Sequence, residues 1–300
     1  MAFVISSINP FVNETREQLI EKTILTGKTL DMVTVIPGIK YKESINQMAN
    51  TISVRSATCG FSANGSIAFT QRVIEVTPLE VKDTLCPKTL ETIWLAQSFK
   101  PGAPKDLQLG PIVAESYVKN IQNFNEKKLW VGATGSNSFQ GYIQLLSAET
   151  TRVKDIGGTY GYTASHVAGT IVGIVNYHVT QVPEELLENT DLCLFMSNAN
   201  YDLYCAALVA ANMYHYTADS SKREMIIPGT GIKAVGMYGL TGYNYMILTP
   251  SSNLIVGTDM MNEEEKFDIW YSQDNDEVRV NIQWKYGTQV YWPEFCVCNF

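Results

Sequence analysis

The stretch 41–77 constrains the fold more than any other part of the chain. Tyr41 to Thr58 and Ser66 to Thr77 are two long β-prone runs, the second, SIAFTQRVIEVT, alternating partly between apolar and polar residues. Between them, Phe61-Ser62-Ala63-Asn64-Gly65 ends in Asn-Gly, a strong reversal signal. The pattern predicts a long hairpin with a small, polar tip. Its strands carry Asn46, Gln47, Asn50, Thr51, Ser53, Arg55, Ser56, Thr58, Gln71 and Arg72, too many polar residues for two faces buried in a private core. A two-stranded ribbon is marginal alone in water. The hairpin is therefore expected to lie on something else, with a neighbouring subunit as the economical candidate. An ordinary hairpin resting on its own domain is the bland alternative.

The rest of the chain can build a sizeable core. Of its 300 residues, 45% are hydrophobic and 17% charged, which describes a globular chain of one large domain with subdomains, or two domains. Aromatic residues are plentiful, with 16 Tyr, 11 Phe and 5 Trp, as suits cores and subunit contacts. A net charge of −8 excludes a dedicated nucleic-acid grip, because phosphate contacts need clustered cations. The 22 Lys and Arg never gather beyond pairs such as Lys127-Lys128 and Lys222-Arg223. Contact with DNA is expected to be weak, non-specific and screened by salt. The start lacks a signal-peptide pattern, and Pro10 interrupts it early. The longest apolar stretch, 164–175, is broken by His166 and two glycines, short of the ~20 residues a membrane helix needs. No membrane role and a cytoplasmic site of synthesis are expected.

Along the chain, residues 1–12 read as an extended arm, and Asn13 caps a helix that Gly27 stops. Leu30 to Ile39 reads as a short strand ended by Pro37-Gly38, and 78–97 as a turn followed by a short helix. A long helix over about 109–128 follows, with Val113, Tyr117, Ile121 and Phe124 as its apolar stripe. Gly132 to Gly141, GATGSNSFQG, looks like a flexible loop. It lacks the phosphate-loop and nucleophile-elbow patterns. From Gly158 the pattern turns mixed α/β, with a buried-type strand at 191–196, a helix at 201–213 capped by Asn198, and strands at 225–228, 232–240 and 243–248. Long strands return at 266–271, 277–286 and 288–297, with Gly287 as a break. Val278, Val280, Ile282 and Trp284 alternate strictly with polar residues, predicting a strand buried on one face.

No constellation of catalytic or metal-binding residues emerges. Six cysteines are scattered, and Cys296 and Cys298 read as small buried side chains on one strand face. His166, His178 and His215 share no ligand spacing. A cytoplasmic hydrolase using Cys86 or Cys205 with a histidine is the alternative from another class. It is disfavoured because no catalytic motif surrounds either thiol. No enzyme activity, metal or cofactor is expected.

The order of elements resembles the major capsid proteins of tailed bacteriophages, which share the Hong Kong 97-type fold. The likeness is most specific between Ile232 and Asp259. There an apolar strand precedes Met246-Ile247, Thr249, Asn253-Leu254, Gly257 and Asp259 in the spacing of that family. A tail with Val280, Trp284, Gly287, Gln289, Pro293 and Glu294 follows. The resemblance implies an α+β chain with an N-terminal arm at 1–40, an E-loop hairpin at 41–77, and a P-domain at 78–157 with its spine helix at 107–128. It further implies an A-domain at 158–258 and P-domain β-strands at 259–300. It implies self-assembly into hexamers and pentamers of an icosahedral head around double-stranded DNA, made in the bacterial cytoplasm and found in the virion. Portal protein, a separate scaffold protein and possible decoration proteins are the implied partners. An encapsulin-like compartment shell shares the fold and is the nearer alternative. Inter-subunit contact is expected at Arg55, Phe61, Ser62, Asn64, Gly65 and Arg72. Thr51 to Arg72 contains no lysine, with Lys40 and Lys42 at the base, so the Lys–Asn crosslink of some relatives is not expected.

Overall fold

In a computed structural model of the chain, residues 19, 22, 23, 26–57, 59–60, 65–86, 109–135, 137–149, 153–162, 166–212, 222–259, 266–272, 274–275 and 277–300 are described. The expected arm at 1–12, the cap Asn13, the short helix before Gln97 and the hairpin residues Phe61, Ser62 and Asn64 lie outside them. Two sheets share a core. The first holds β1 (Thr34–Pro37), β4 (Thr77–Leu85), β10 (Leu254–Thr258), β11 (Lys266–Ser272) and β12 (Glu277–Val290). Residues 278–282 of β12 pair with both β11 and β4, and Tyr286 pairs with both β10 and β4. A strand has two edges, so β4 occupies one edge of β12 while β11 and β10 take successive halves of the other. Strand β4 corrects the expected turn at 78–86. Its Pro78 is the second residue of an edge strand, a position that tolerates proline.

Strand β12 shows the predicted alternation, with Val278, Val280, Ile282 and Trp284 buried and their neighbours half-exposed. The buried face meets α2 (Leu109–Val131), where Trp284 Nε1 donates to Asn125 Oδ1 at 3.2 Å. The helix buries Ala114, Val118, Ile121, Asn125 and Leu129, a stripe turned from the expected one, of which only Ile121 is fully buried. Its inward face includes a small residue and an amide whose oxygen accepts from Trp284, so side-chain hydrophobicity could not mark it. Gly287 does not break β12 as expected. A Cβ there would collide with Glu75 O, so the glycine lets another backbone approach.

The second sheet runs β5 (Lys154–Asp155), β13 (Val297–Cys298), β9 (Ile247–Pro250), β6 (Leu192–Ser197), β8 (Lys233–Met237), β7 (Glu224–Ile226). All of β6 is buried. It runs parallel to β8 and feeds α5 (Asn198–Ala210), whose N-cap is Ser197 and not the expected Asn198. The Ser197 hydroxyl accepts from Asn200 N at 3.2 Å. Helix α4 (Ile171–Thr180) packs on α5. Trp130, at the end of α2, sits between Tyr142 of α3 (Tyr142–Ala148) and Phe195 of β6, with ring centroids 5.5 and 5.1 Å away. Tyr142 OH also donates to Ile255 O of β10 at 3.2 Å, so one aromatic cluster joins both sheets. The boundary expected at 258/259 does not separate them, because β10 is bonded into the first sheet and β13 into the second.

The two ends of the loop at 132–141 are packed, contrary to its flexible look, while 133–135 and Asn137 are exposed. Phe139 is buried and stacks on Tyr286 at 5.6 Å, and a Cβ at Gly132 would collide with Phe139 O. Ahead of β1, α1 (Lys28–Met32) replaces the first half of the expected strand. It fastens the N-terminal segment to both α2 and the second sheet: the Thr29 hydroxyl donates to Glu126, and Lys28 Nζ donates to Gly236 O at 2.9 Å.

Candidate functional site

The hairpin is formed by β2 (Lys42–Thr51) and β3 (Ser66–Glu75), ten residues each in unbroken antiparallel register from Lys42↔Glu75 to Thr51↔Ser66. At about 3.4 Å per residue it reaches roughly 34 Å. The expected first strand, Tyr41 to Thr58, ends at Thr51, and 52–57 continue without regular pairing. The two strands form a sheet by themselves.

Its two faces differ. One face, with Ile45, Gln47, Thr70, Arg72 and Ile74, turns at its root toward the body of the same chain. Gln47 Nε2 donates to Tyr291 O, and Thr70 Oγ1 donates to Gln47 Oε1 at 3.2 Å. Arg72 pairs with Glu149 at 2.9 Å and donates to Gln289 Oε1 at 3.2 Å. Gln289 Nε2 donates to Val73 O at 2.7 Å, and Tyr291 OH to Asn46 O at 2.8 Å. Ile74 closes a small buried cluster with Ile39, Val76 and Ile255. The root is therefore anchored by its own chain.

The opposite face and the distal half are uncovered by the described residues. Met48 and Phe69 are cross-strand partners on that face, beside Ile67 and Val73, and all four are exposed, Phe69 at 74%. Beyond the strands, Ile52 and Val54 are exposed, Val54 at 91%. Between Glu43 and Arg72 the only charged residue is Arg55. Folded proteins normally blunt free strand edges with charge, because bare apolar edges recruit other strands. This ribbon has almost none.

The expected contact residues separate in the structure. Arg55 and Gly65 are exposed on the distal part, while Arg72 is bound at the root by Glu149 and Gln289 of its own chain. That corrects the grouping of Arg72 with the tip: its partners come from segments 77 and 217 residues away, which local reading could not supply. Gln47, Glu149 and Tyr291 were missed as root contacts for the same reason.

The motif residues converge on this root. A Cβ at Gly257 would lie 2.8 Å from Ile39 and Ile74 side chains, and Gly287 admits Glu75. Lys285 Nζ pairs with buried Asp259 at 2.8 Å and donates to Lys40 O at 3.1 Å. Asn253 donates to Trp292 O at 2.8 Å and to Thr249 Oγ1 at 3.0 Å, and accepts from Trp292 N at 2.6 Å. Residues far apart in sequence thus build the seat that aims the hairpin.

Cys193, Cys205 and Cys296 are held protonated. Burial pushes Cys205 up, Cys193 to about 11 and Cys296 to about 12, the direction opposite to a nucleophilic thiolate. Among the described residues no group of three or more His, Cys, Asp or Glu is placed to hold a metal ion, and no helix is long and apolar enough to cross a membrane.

Neither a family model nor a curated protein matches the chain. Solved structures do. A chain of the satellite phage P4 procapsid that includes the size determination (Sid) protein is 15% identical with a TM-score of 0.61, over 99% of this chain and 90% of that one. The capsid of an empty GTA particle matches at 9% identity and a TM-score of 0.62, over 92% and 90%. A virus-like particle from Pyrococcus furiosus matches at 12% identity and a TM-score of 0.54, over 97% and 99%. The fold is the α+β Hong Kong 97-type fold of tailed-phage major capsid proteins.

Proposed function

We propose that this chain is a major capsid protein, which assembles with copies of itself into hexamers and pentamers of an icosahedral phage head enclosing double-stranded DNA. The observation that carries the reading is the hairpin. On a fold shared with capsid chains, a long ribbon with one charge between Glu43 and Arg72 and four exposed apolar side chains on one face suits a neighbouring subunit. The contact residues are Arg55, Phe61, Ser62, Asn64 and Gly65, joined by Met48, Ile67 and Phe69, while Arg72 holds the root. The ribbon's domain context is the E-loop, with α2 as the spine helix of the P-domain and the β6-centred sheet as the core of the A-domain. Closed symmetry repeats one modest contact many times, so no single interface has to be strong. The chain has a structural role, acts in the virion after assembly in the bacterial cytoplasm, and meets packaged DNA through weak non-specific contact. A portal protein and a separate scaffold protein are its expected partners, with decoration proteins possible on the outer surface. Subunits are held without a lysine crosslink from the 51–72 ribbon, so denaturing gels should give a single band with no ladder.

The test is negative-stain microscopy and sedimentation of the expressed protein, alone and with its genomic neighbours. Shells, tubes or capsomers are expected. Monodisperse monomer under every condition would overturn the reading. The match to a virus-like particle over nearly its whole length supports one second reading, a compartment shell, which predicts closed particles that copurify with an enzyme and without DNA.

A further inference from the structure

Helix α4 buries Ile171, Ile174, Val175 and His178, a single helical stripe in which the fourth position is an imidazole. His178 is 0% exposed. Its Nδ1 lies 2.8 Å from Ile174 O, so that nitrogen carries the proton in the neutral ring, and buried Nε2 has no partner among the described residues. His166, just ahead of α4, has two buried ring nitrogens equally without a partner there, and Asn200 on the facing side of α5 has an unpartnered buried Nδ2. Gly161 and Asn200 lie close enough to favour a charged His166, but neither completes a well-formed hydrogen bond. Unpaired buried polar atoms are uncommon in folded proteins, and a cluster of them calls for an explanation.

We propose that His166 and His178 form an acid-operated release, in which protonation loosens the packing of α4 on α5 while β6 and its neighbouring strands stay paired. A second proton on His178 would sit on Nε2, a buried N–H with nothing among the described residues to accept it, beside a second imidazole. Burial holds His178 down at about 4, and His166 below its ordinary value. The C-terminal end of α4 favours a cation by its dipole, but desolvation outweighs it. Among the described residues no carboxylate acts on His178. The titratable residues on the elements packed against α4 are Tyr160 in the 158–160 turn and Tyr201, Asp202, Tyr204 and Cys205 on α5, with His166 ahead of the helix and exposed Glu184 and Glu185 in the turn after it. Of these, His166 is the one whose charge acts on His178, and it opposes protonation. The sign follows. The folded state keeps both rings neutral, so the stability they support is present above the ordinary histidine range and is lost as pH falls toward about 4.

Hydrogen exchange of the full chain between pH 7 and pH 5 tests this. Corrected for intrinsic exchange, protection over 171–180 and 201–210 should fall about tenfold per pH unit for each proton taken up. Protection over 192–197 and 278–290 should hold. The slope should vanish in the His166→Gln/His178→Asn double variant, in which the shorter amide side chain can still donate to Ile174 O. An unchanged slope in that variant, or simultaneous loss in all four segments, overturns the proposal. Should the double variant fail to fold, NMR titration of the wild-type imidazole C–H signals decides. His178 titrating at the ordinary histidine value overturns it, and a depressed midpoint supports it.

Discussion

Strand β6 and the β2–β3 hairpin use the same backbone geometry for opposite purposes. All six residues of β6 are buried, whereas only Gln47 and Ile74 are buried among the twenty of the hairpin. In β6 both faces meet the chain's own core, so its contacts are complete when the monomer folds. In the hairpin, side chains as large as Phe69 and Met48 stand uncovered by the described residues, and the ordered root only aims them. Burial is worth roughly 25 cal/mol per Å² of apolar surface. That gain is realised by folding at β6 and deferred to association at the hairpin. A strand's pattern thus indicates where its partner resides: continuous apolar residues for an internal partner, uncharged mixed residues without a private core for an external one.

The comparison is broken most forcefully at β6. Phe195 is fully buried against Trp130 and has no exposed surface to offer a neighbour. Phe195→Ala should cost the dissociated chain about 3–5 kcal/mol, as large-to-small changes of aromatic core residues do. Urea titration followed by tryptophan fluorescence measures it. A loss below about 1 kcal/mol, small for any buried truncation, would mean that the aromatic junction between the two sheets is not part of the core.

The root of the hairpin comes next. Gln289 bonds Val73 O and Arg72 through its side chain and also accepts from Val290 N. Gln289→Ala leaves these partners unsatisfied in a part-buried site, at about 1–3 kcal/mol. The effect should be local. Amide protection should drop over 42–51 and 66–75 and persist in β6. Loss spread evenly over both regions would show that the hairpin is not separately anchored.

The difference in legibility between these regions has a physical origin. The hairpin, the alternation of Val278 to Trp284 and the apolar β6 could be read directly, because period-2 patterning and Asn-Gly turns are local signals. What could not be read depends on distant backbone. Gly287 looked like a strand break because its approach to Glu75 is set by a segment 212 residues earlier. The stretch from Pro78 looked like the start of a turn, although an edge strand tolerates that proline. Gly132 and Gly141 in GATGSNSFQG looked loose, yet close backbone packing beside buried Phe139 requires them. The root of the hairpin was half legible. Its family-like residues Gly257, Asp259, Gly287 and Gln289 could be spotted by spacing, but their shared task of seating β2 and β3 appears only once they are brought together.

The smallest expected effect on folding is the sharpest test of the comparison. Phe69 is largely exposed, and no described part of the chain covers it. Phe69→Ser should therefore change the urea midpoint of the dissociated chain by less than the equivalent of about 0.5 kcal/mol, as surface substitutions do. Its effect on association should be large, because each subunit repeats the same lost contact around a closed particle. We predict that the protein concentration needed for particle formation, read by sedimentation, rises at least about tenfold, since one deeply buried aromatic anchor is commonly worth more than about 1.4 kcal/mol at an interface. Two results would undo the contrast. Assembly at the wild-type concentration would mean that the outward face of the ribbon touches nothing in the particle. A stability loss of about 2 kcal/mol in the monomer, the size of a core truncation, would mean that Phe69 is covered by its own chain, making the hairpin a strand pair of the same kind as β6.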